Sequence, residues 1–455
     1  MLINLHISME NNLFGTDGIR GTINQYPLTT EIIVRFAIAS GIRLMKQGYR
    51  NRVVIAKDTR LSGYLIEPAL TSAFISIGID VILVGPMPTP AVPMLIKSLR
   101  ADFGIMISAS HNPYTDNGLK LFDKAGFKLD QNYEREIENL VSENNFKKYL
   151  ALPDKLGRAK RLEDAPGRYI EFVKSVFSKN LTLSGFRIVI DSANGGAYRL
   201  APTILWELGA EVISIGCEPN GFNINDRCGS TNPNAIVQKV RETRADIGIA
   251  LDGDADRIVV CDEKGSVING DCLIGVIAEY LHKKKKLKGG GIVITHMSNT
   301  ALEDYLQKLK LKVWKTNVGD KNVAQLMRSK GCNLGGEQSG HIIFSDYTTT
   351  GDGIIASLQI LALLVESGSK MSDLTENFKL NPQIQHNVNF SDKNPLENHN
   401  VEKNIEKLRL NNPEVKILVR KSGTEKIIRV LVEGKEINHI GTIAKKLYGL
   451  IANYA

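Results

Sequence analysis

The sequence predicts an α/β protein: three similar mixed-sheet α/β domains followed by a smaller α+β C-terminal domain. Three observations carry this. Short apolar runs alternate with amphipathic stretches along most of the chain, the signature of strands interleaved with helices. That rhythm restarts near Gly185 and again near Gly290. Beyond Glu366 the order changes to strand, helix, two strands and helix. The expected boundaries are 1–155, 156–262, 263–372 and 373–455. The likeness among the first three lies in element order, with no repeated sequence.

Each element has a local reason. Glu31–Met45 is a periodic helix that Thr29 or Thr30 can cap. Arg52–Ala56, Asp80–Gly85 and Phe103–Ser108 are short, apolar and β-branched, as buried strands are, with a helix at Leu65–Ile77 between the first two. Such alternation argues for mainly parallel pairing. The second domain runs from "GFRIVIDSANGG" (Gly185–Gly196) to "ADIGIALDGDADRIVV" (Ala245–Val260). The third opens at "GGIVITHMSN" (Gly290–Asn299) and ends in a helical pattern over Gly353–Glu366. The polar stretch Glu366–Asn377 reads as a linker. The last domain then reads as strand Gln385–Phe390, helix Val401–Leu408, strands Val415–Val419 and Ile427–Val432, and helix Ile440–Ile451.

Composition narrows the class. The chain has 455 residues, 43% hydrophobic and 23% charged, which is globular rather than disordered. Five scattered cysteines, with no metal-type pair, imply no disulfide framework and fit a reducing compartment. "MLINLHISMENNLFG" lacks a basic leader segment, and the apolar stretch Ile354–Val365 falls short of the roughly 20 residues a membrane span needs. A cytoplasmic protein without a membrane partner is expected. The net charge is +8. The run Lys283–Lys286 with Lys288 has no interleaved aromatics, so it reads as a solvated helix end rather than a nucleic-acid site. Diffuse positive charge favours anionic small substrates.

Four polar loops stand where strands end, the usual place for ligands in open sheets. In the first, Ser110 follows an apolar strand and precedes His111-Asn112-Pro113. An exposed hydroxyl there can carry a phosphoryl group, although Ser, Asn and Pro also make ordinary turns. In the second, Asp252, Asp254 and Asp256 alternate in "DGDADR". Three such carboxylates repel unless a cation sits among them. An EF-hand is excluded because Arg257 holds its glycine position and strands flank the loop. Few carboxylates plus a phosphoryl oxygen suit Mg²⁺. The third, "GGEQSGH", offers Glu337 and Ser339, which on extended backbone point the same way to grip sugar hydroxyls, and His341 as a proton carrier. In the fourth, Arg420-Lys421-Ser422-Gly423-Thr424-Glu425 has the make-up of a phosphate nest, to which Arg429 adds charge. It is not a Walker loop. A plain hairpin competes with both of these readings. Together the four loops suit metal-assisted phosphoryl transfer on a sugar phosphate.

These loops, with "FGTDGIRG" (Phe14–Gly21), occur in the order found in the α-D-phosphohexomutase superfamily, and the resemblance spans nearly the whole chain. "NINDRCGSTNP", "GEQSGH", "VGDK" and "TTGDGIIASLQIL" resemble the bacterial phosphoglucosamine mutase family within it. The resemblance implies four domains around a central cleft. It implies interconversion of glucosamine 6-phosphate and glucosamine 1-phosphate, on the route to UDP-N-acetylglucosamine and peptidoglycan precursors. Ser110 would be the phosphoserine. Asp252, Asp254, Asp256 and the phosphoryl group on Ser110 would bind one Mg²⁺ per chain, and a hexosamine 1,6-bisphosphate would serve as intermediate and primer. Glu337 and Ser339 would hold the sugar. Arg420, Ser422, Gly423, Thr424 and Arg429 would hold the phosphate that is not reacting. Lys120, His341 and Arg20 would move protons or stabilise charge, with His111, Asn112 and Arg257 in support. The family state would be monomer or homodimer.

Two departures stand out. Lys421 and Lys426 replace the family's prolines, which loosens the loop and adds positive charge, and Lys321 replaces an arginine that could bind in bidentate fashion. Competing readings are a phosphomannomutase/phosphoglucomutase with the same chemistry, a metal-dependent phosphatase and a non-catalytic sugar-phosphate-binding regulator.

Overall fold

A computed structural model describes residues 13–15, 17–46, 48–143, 145–376, 378–391, 393–421 and 426–455. The first α/β segment comprises β1 (Ile19–Thr22), α1 (Thr30–Leu44), β2 (Arg52–Lys57), α2 (Gly63–Ser76), β3 (Asp80–Pro86), α3 (Ala91–Leu99), β4 (Phe103–Ile107), β5 (Asp116–Phe122), α4 (Gln131–Val141) and β6 (Ala159–Arg161). Its sheet has the order β1-β5-β4-β2-β3-β6. Thr29 caps α1, accepting a bond from the Ile32 amide, and Ile32, Ile33, Phe36 and Ala37 turn inward. Every residue of β4 is buried, as a central strand covered on both faces requires. Phe103 meets Phe74 of α2 edge-on, with ring centroids 5.5 Å apart.

The second segment holds α5 (Ala165–Val176), β7 (Arg187–Asp191), α6 (Leu200–Glu207), β8 (Glu211–Ile215), α7 (Asn234–Thr243), β9 (Ile247–Leu251), β10 (Ile258–Asp262) and β11 (Val267–Ile268), with sheet order β11-β10-β9-β7-β8. The third holds α8 (Gly270–Lys283), β12 (Gly291–Thr295), α9 (Thr300–Lys308), β13 (Lys312–Thr316), α10 (Asp320–Lys330), β14 (Leu334–Gly336), β15 (Ile342–Phe344), α11 (Gly353–Ser367) and α12 (Met371–Glu376), with sheet order β13-β12-β14-β15. The last comprises β16 (Gln383–Asn389), α13 (His399–Asn411), β17 (Lys416–Lys421), β18 (Ile427–Glu433) and α14 (Ile437–Ala452), its sheet ordered β16-β18-β17 and antiparallel throughout.

The first three sheets are mixed, and one antiparallel step in each of the four sheets falls at a polar loop. β4 pairs antiparallel with β5, β9 with β10, β14 with β15, and β17 with β18. Each of the four polar loops therefore joins the two strands of a hairpin. Mainly parallel pairing fails at these points because so short a loop cannot make a parallel crossover, which needs a dozen or more residues.

The chain forms two compact units. One holds Met1–His296 with Leu311–Glu376, and the other Met297–Lys310 with Asn377–Ala455. Helix α9 thus belongs to the second unit although its neighbouring strands β12 and β13 belong to the first. Within the second unit the Glu433 carboxylate accepts from the Thr300 amide at 2.7 Å, and Asn299 and Asn381 exchange side-chain-to-backbone bonds of 2.9 and 3.1 Å.

The expected linker Glu366–Asn377 contains α12, which docks through buried Met371 and a 2.5 Å bond from Ser372 Oγ to Glu263. Its polar composition hid a short helix held by two buried side chains, Met371 and Ser372. The lysine run ends α8, with Lys283 on Glu279 (2.8 Å), Lys284 on Glu366 (2.7 Å) and Lys288 on Asp346 (2.5 Å). Among the described residues, no helix is long and apolar enough to cross a membrane.

Candidate active site

The β4–β5 hairpin loop turns sharply at Ser110, which lies in the left-handed region at φ +53°. The Ser108 hydroxyl accepts from the Ser110 amide at 2.9 Å and donates to Asp58 at 2.6 Å. The Ser110 side chain is buried, and its Oγ donates to Asp252 Oδ2 at 2.5 Å. His111 Nδ1 lies 3.3 Å from the same Oγ. Burial, then the Arg257 and Arg20 charges, lower the His111 ring to about 4, so it is neutral near pH 7. Arg20 reaches the loop through Ala109 O at 3.3 Å and Asn112 Oδ1 at 3.5 Å.

The β9–β10 loop brings Asp252, Asp254 and Asp256 together, all buried, with one oxygen from each within 4.8 Å of the others. Three clustered carboxylates in a dry site need positive charge. Part of it is Lys120 of β5, whose Nζ lies 2.7 Å from Asp254, 2.9 Å from Asp256 and 3.2 Å from Asp17. Burial disfavours the Lys120 ammonium, but Asp17, Asp254 and Asp256 outweigh it and hold it charged well above the usual range. Asp17 also pairs with Arg20 and with Lys128, and Lys128 pairs with Asp320 at 2.6 Å. Burial acts against the Asp17 carboxylate, but Lys120, Lys128 and Arg20 bring it well below the ordinary value.

One carboxyl is left over. Burial, Asp256 and Asp254 push Asp252 up to about 8. Asp254 Oδ1 and Asp256 Oδ1 are buried and have no hydrogen-bond partner. Two such oxygens beside an over-acidic cluster fit a hard divalent cation, which takes oxygen ligands and supplies the missing charge.

The β14–β15 loop is a tight turn rather than extended strand: Gly340 N donates to Glu337 O at 3.0 Å, and Gly340 has φ +85°. The alternation expected of Glu337 and Ser339 therefore does not apply. Glu337 is buried and accepts from the Gly319 amide at 2.9 Å, whereas Ser339 is exposed. His341 is buried. Its Nε2 accepts from the Gly351 amide at 3.0 Å, and its Nδ1 lies 3.6 Å from Asp256 Oδ1. Burial disfavours the charged ring, Asp256 and Asp320 favour it more strongly, and the net direction is upward. The Gly351 N–H opposes this because it needs a bare Nε2. When the ring is neutral, that bond selects the tautomer with its proton on Nδ1, toward Asp256. His341 thus sets Nδ1 beside the Asp256 carboxylate. Arg257 sits beside Asp256, its Nε 3.8 Å from Oδ1, and its amide donates to Asp252 at 3.1 Å.

In the second unit Arg420 and Arg429 face one another in register on β17 and β18. Ser422, Gly423 and Thr424 lie outside the described residues. The lysines that replace prolines turn to neighbours: Lys421 over the Phe390 ring at 5.7 Å, Lys426 to Ser391 O at 2.7 Å. In the first unit Lys321 pairs with Glu134 of α4 at 2.8 Å.

Sequence reasoning missed Asp17, Lys128 and Asp320, which balance the charge, and Asp58, Arg60 and Asn225, which hold the serine loop. Asp17 lay in plain view within "FGTDGIRG". Lys128 and Asp320 carried no local signal.

Comparisons with known proteins identify the family and the fold. The phosphoglucomutase/phosphomannomutase family models for domains I, II and III match residues 11–148, 167–265 and 269–380. The phosphoglucosamine mutase of Phenylobacterium zucineum is 53% identical over 445 residues, covering 97% of this chain and 98% of that one. The chain belongs to the phosphoglucosamine mutase family. Another relative of that name, from Caulobacter vibrioides, is 53% identical over 437 residues, 95% of this chain and 97% of its own. The fold also matches solved structures. A phosphoglucomutase/phosphomannomutase family protein from Burkholderia thailandensis superimposes with TM-score 0.81 at 23% identity, covering 97% of each chain. The N-acetylphosphoglucosamine mutase of Aspergillus fumigatus, solved with GlcNAc-6P and magnesium, gives TM-score 0.65 at 18% identity over 97% of this chain and 96% of that one.

Proposed function

We infer that the chain interconverts glucosamine 6-phosphate and glucosamine 1-phosphate, with Ser110 as the phosphoryl carrier. The observation that carries this reading is the 2.5 Å contact between Ser110 Oγ and the first of three buried aspartates, in a chain about half identical to phosphoglucosamine mutases. Phosphorylated Ser110 gives its group to the free hydroxyl of the sugar phosphate. The P–Oγ bond breaks, a P–O bond to the sugar forms, and the proton leaving the hydroxyl ends on Oγ. The resulting hexosamine 1,6-bisphosphate turns over, and its other phosphate returns to Oγ by the reverse step.

Asp252, Asp254 and Asp256, with an oxygen of the phosphoryl group on Ser110, would hold Mg²⁺. Bound there, the ion supplies charge neutralisation to the transferring group. The protein's own cations do the same. Lys120 is fixed as an ammonium by its carboxylates and stabilises developing negative charge. Arg20 braces the loop and adds a second charge. His111, neutral and 3.3 Å from Oγ, can accept a proton there. Glu337 is assigned to the sugar hydroxyls with Ser339, and Arg420, Ser422, Gly423, Thr424 and Arg429 to the non-reacting phosphate. A net charge of +8 suits such anionic substrates.

The test is initial rates with glucosamine 1-phosphate, glucose 1-phosphate and mannose 1-phosphate, in Mg²⁺ with a trace of hexose 1,6-bisphosphate. Preference for the amino sugar, abolished in Ser110→Ala, is expected. Preference for glucose or mannose would overturn the substrate assignment, and activity surviving in Ser110→Ala would overturn the carrier.

A further inference from the structure

The Ser110 backbone sits where a residue with a Cβ is disfavoured, so something must hold it there. Two side chains do, Arg60 buried and Asn225 half-buried. Arg60 Nη2 donates to Ser110 O at 2.9 Å and to Asn112 O at 2.9 Å. Asn225 Nδ2 donates to the same two carbonyls, at 2.9 and 3.1 Å. Each nitrogen spends both its hydrogens, and each carbonyl accepts twice, so the bonds close into a square around the turn. Arg60 is itself fixed by Asp58, 2.8 Å from its Nε, and Asp58 accepts from the Ser108 hydroxyl that holds the Ser110 amide.

The square lies against the aspartate loop. A Cβ on Gly253 would stand 2.6 Å from Ser110 O and 2.9 Å from Asn225 Nδ2. Arg60 falls in the part of the chain matched by the domain I model, and Asn225 in the part matched by domain II. The amide orientation of Asn225 is dictated, since a flipped group would aim its oxygen at two carbonyls. Its own Oδ1 is left buried without a partner.

We propose that Arg60 and Asn225 are positioning residues for phosphoryl transfer: together they lock the serine turn so that Oγ is presented to Asp252, with Asn225 making that lock depend on the domain that carries the aspartates. The proposal rests on the reading of Ser110 as phosphoryl carrier. Neither side chain touches Oγ or a carboxylate of the aspartate triad, so their effect is transmitted through the backbone of the turn.

Arg60 is too deeply buried for a clean variant, so the test uses Asn225. Asn225→Asp keeps the shape but turns two attractions into two repulsions. Expected is a fall in kcat of about 10- to 100-fold, the effect of losing two part-buried hydrogen bonds from the productive geometry, with KM for the sugar phosphate within about threefold of the parent. Phosphorylation of Ser110 by a hexose 1,6-bisphosphate, followed by intact mass, should slow by the same factor. Asn225→Ala should show a smaller kcat loss with KM likewise unchanged, and carries the test if the aspartate variant does not fold. Unchanged kcat in the variants, a rise in KM alone, or a kcat loss matching only the unfolded fraction would overturn the proposal. Ser110→Ala, run beside them, separates the two readings. If it is inactive while the Asn225 variants are fully active, the lock fails and the carrier stands. If it stays active, both fall.

Discussion

Replacing Lys120 by methionine should weaken the metal-free protein and tighten its grip on Mg²⁺. The ammonium is buried and lies within 3.2 Å of Asp254, Asp256 and Asp17. Methionine fills nearly the same volume, so the change is one of charge rather than packing. Removing one partner of a buried ion pair costs about 3–5 kcal/mol, reduced where a carboxylate takes up a proton. Without divalent cation, the melting temperature should fall by roughly 6–20 °C, taking about 2–4 °C per kcal/mol. Binding of Mg²⁺ should move the other way. Unit charges about 4 Å apart repel by about 4 kcal/mol at a surface-like dielectric, so loss of the ammonium should tighten binding at least tenfold. Calorimetry measures the ion affinity, and thermal unfolding in chelator and in excess Mg²⁺ measures the rest. Saturating Mg²⁺ should restore most of the lost melting temperature while activity stays low. An unchanged melting temperature in chelator, or weaker Mg²⁺ binding, would refute the view that Lys120 balances these carboxylates.

Other perturbations follow from single contacts. Asp252, raised to about 8, contributes stability that is full below about pH 4 and is lost as pH rises through 8, so the metal-free protein should weaken over that window. Excess Mg²⁺ should flatten the loss, and parallel pH profiles with and without the ion would contradict this. Tyr169→Phe removes a 2.8 Å bond to Asp352, the buried cap of α11 whose pKa burial raises to about 6. Urea unfolding should show a loss of about 1.5–3 kcal/mol. Gly340→Ala puts a Cβ 1.9 Å from Ile258 O at φ +85°. Urea unfolding should show a loss of more than about 2 kcal/mol, and kcat should fall as the Glu337–His341 turn shifts.

Much of this was legible because it is local. Apolar runs gave the strands, since β4, β9 and β12 are buried along their whole length. The aspartate cluster could be read because its ligands alternate within one loop. Other features depend on distant pairs. Lys128 and Asp320 are far apart in sequence and meet only in the fold. Asn225 becomes meaningful only when its amide meets the carbonyl of Ser110. The hairpin form of the loops could have been inferred from length alone, since residues 108–115 are too few for a crossover. The error over Glu337 and Ser339 came from assuming extended backbone where Gly340 makes a turn.

Helix α9 has a consequence for anyone who would treat the C-terminal domain as an exchangeable cassette. The chain enters the second unit at Met297, leaves it after Lys310 and returns at Asn377. A cut at residue 376 would strand α9 without Glu433, the carboxylate that receives its first amide, and a transplanted tail would arrive with that carboxylate facing a foreign helix. Chimaeras should therefore carry residues 297–310 together with the tail, a pair of segments that no single junction can provide.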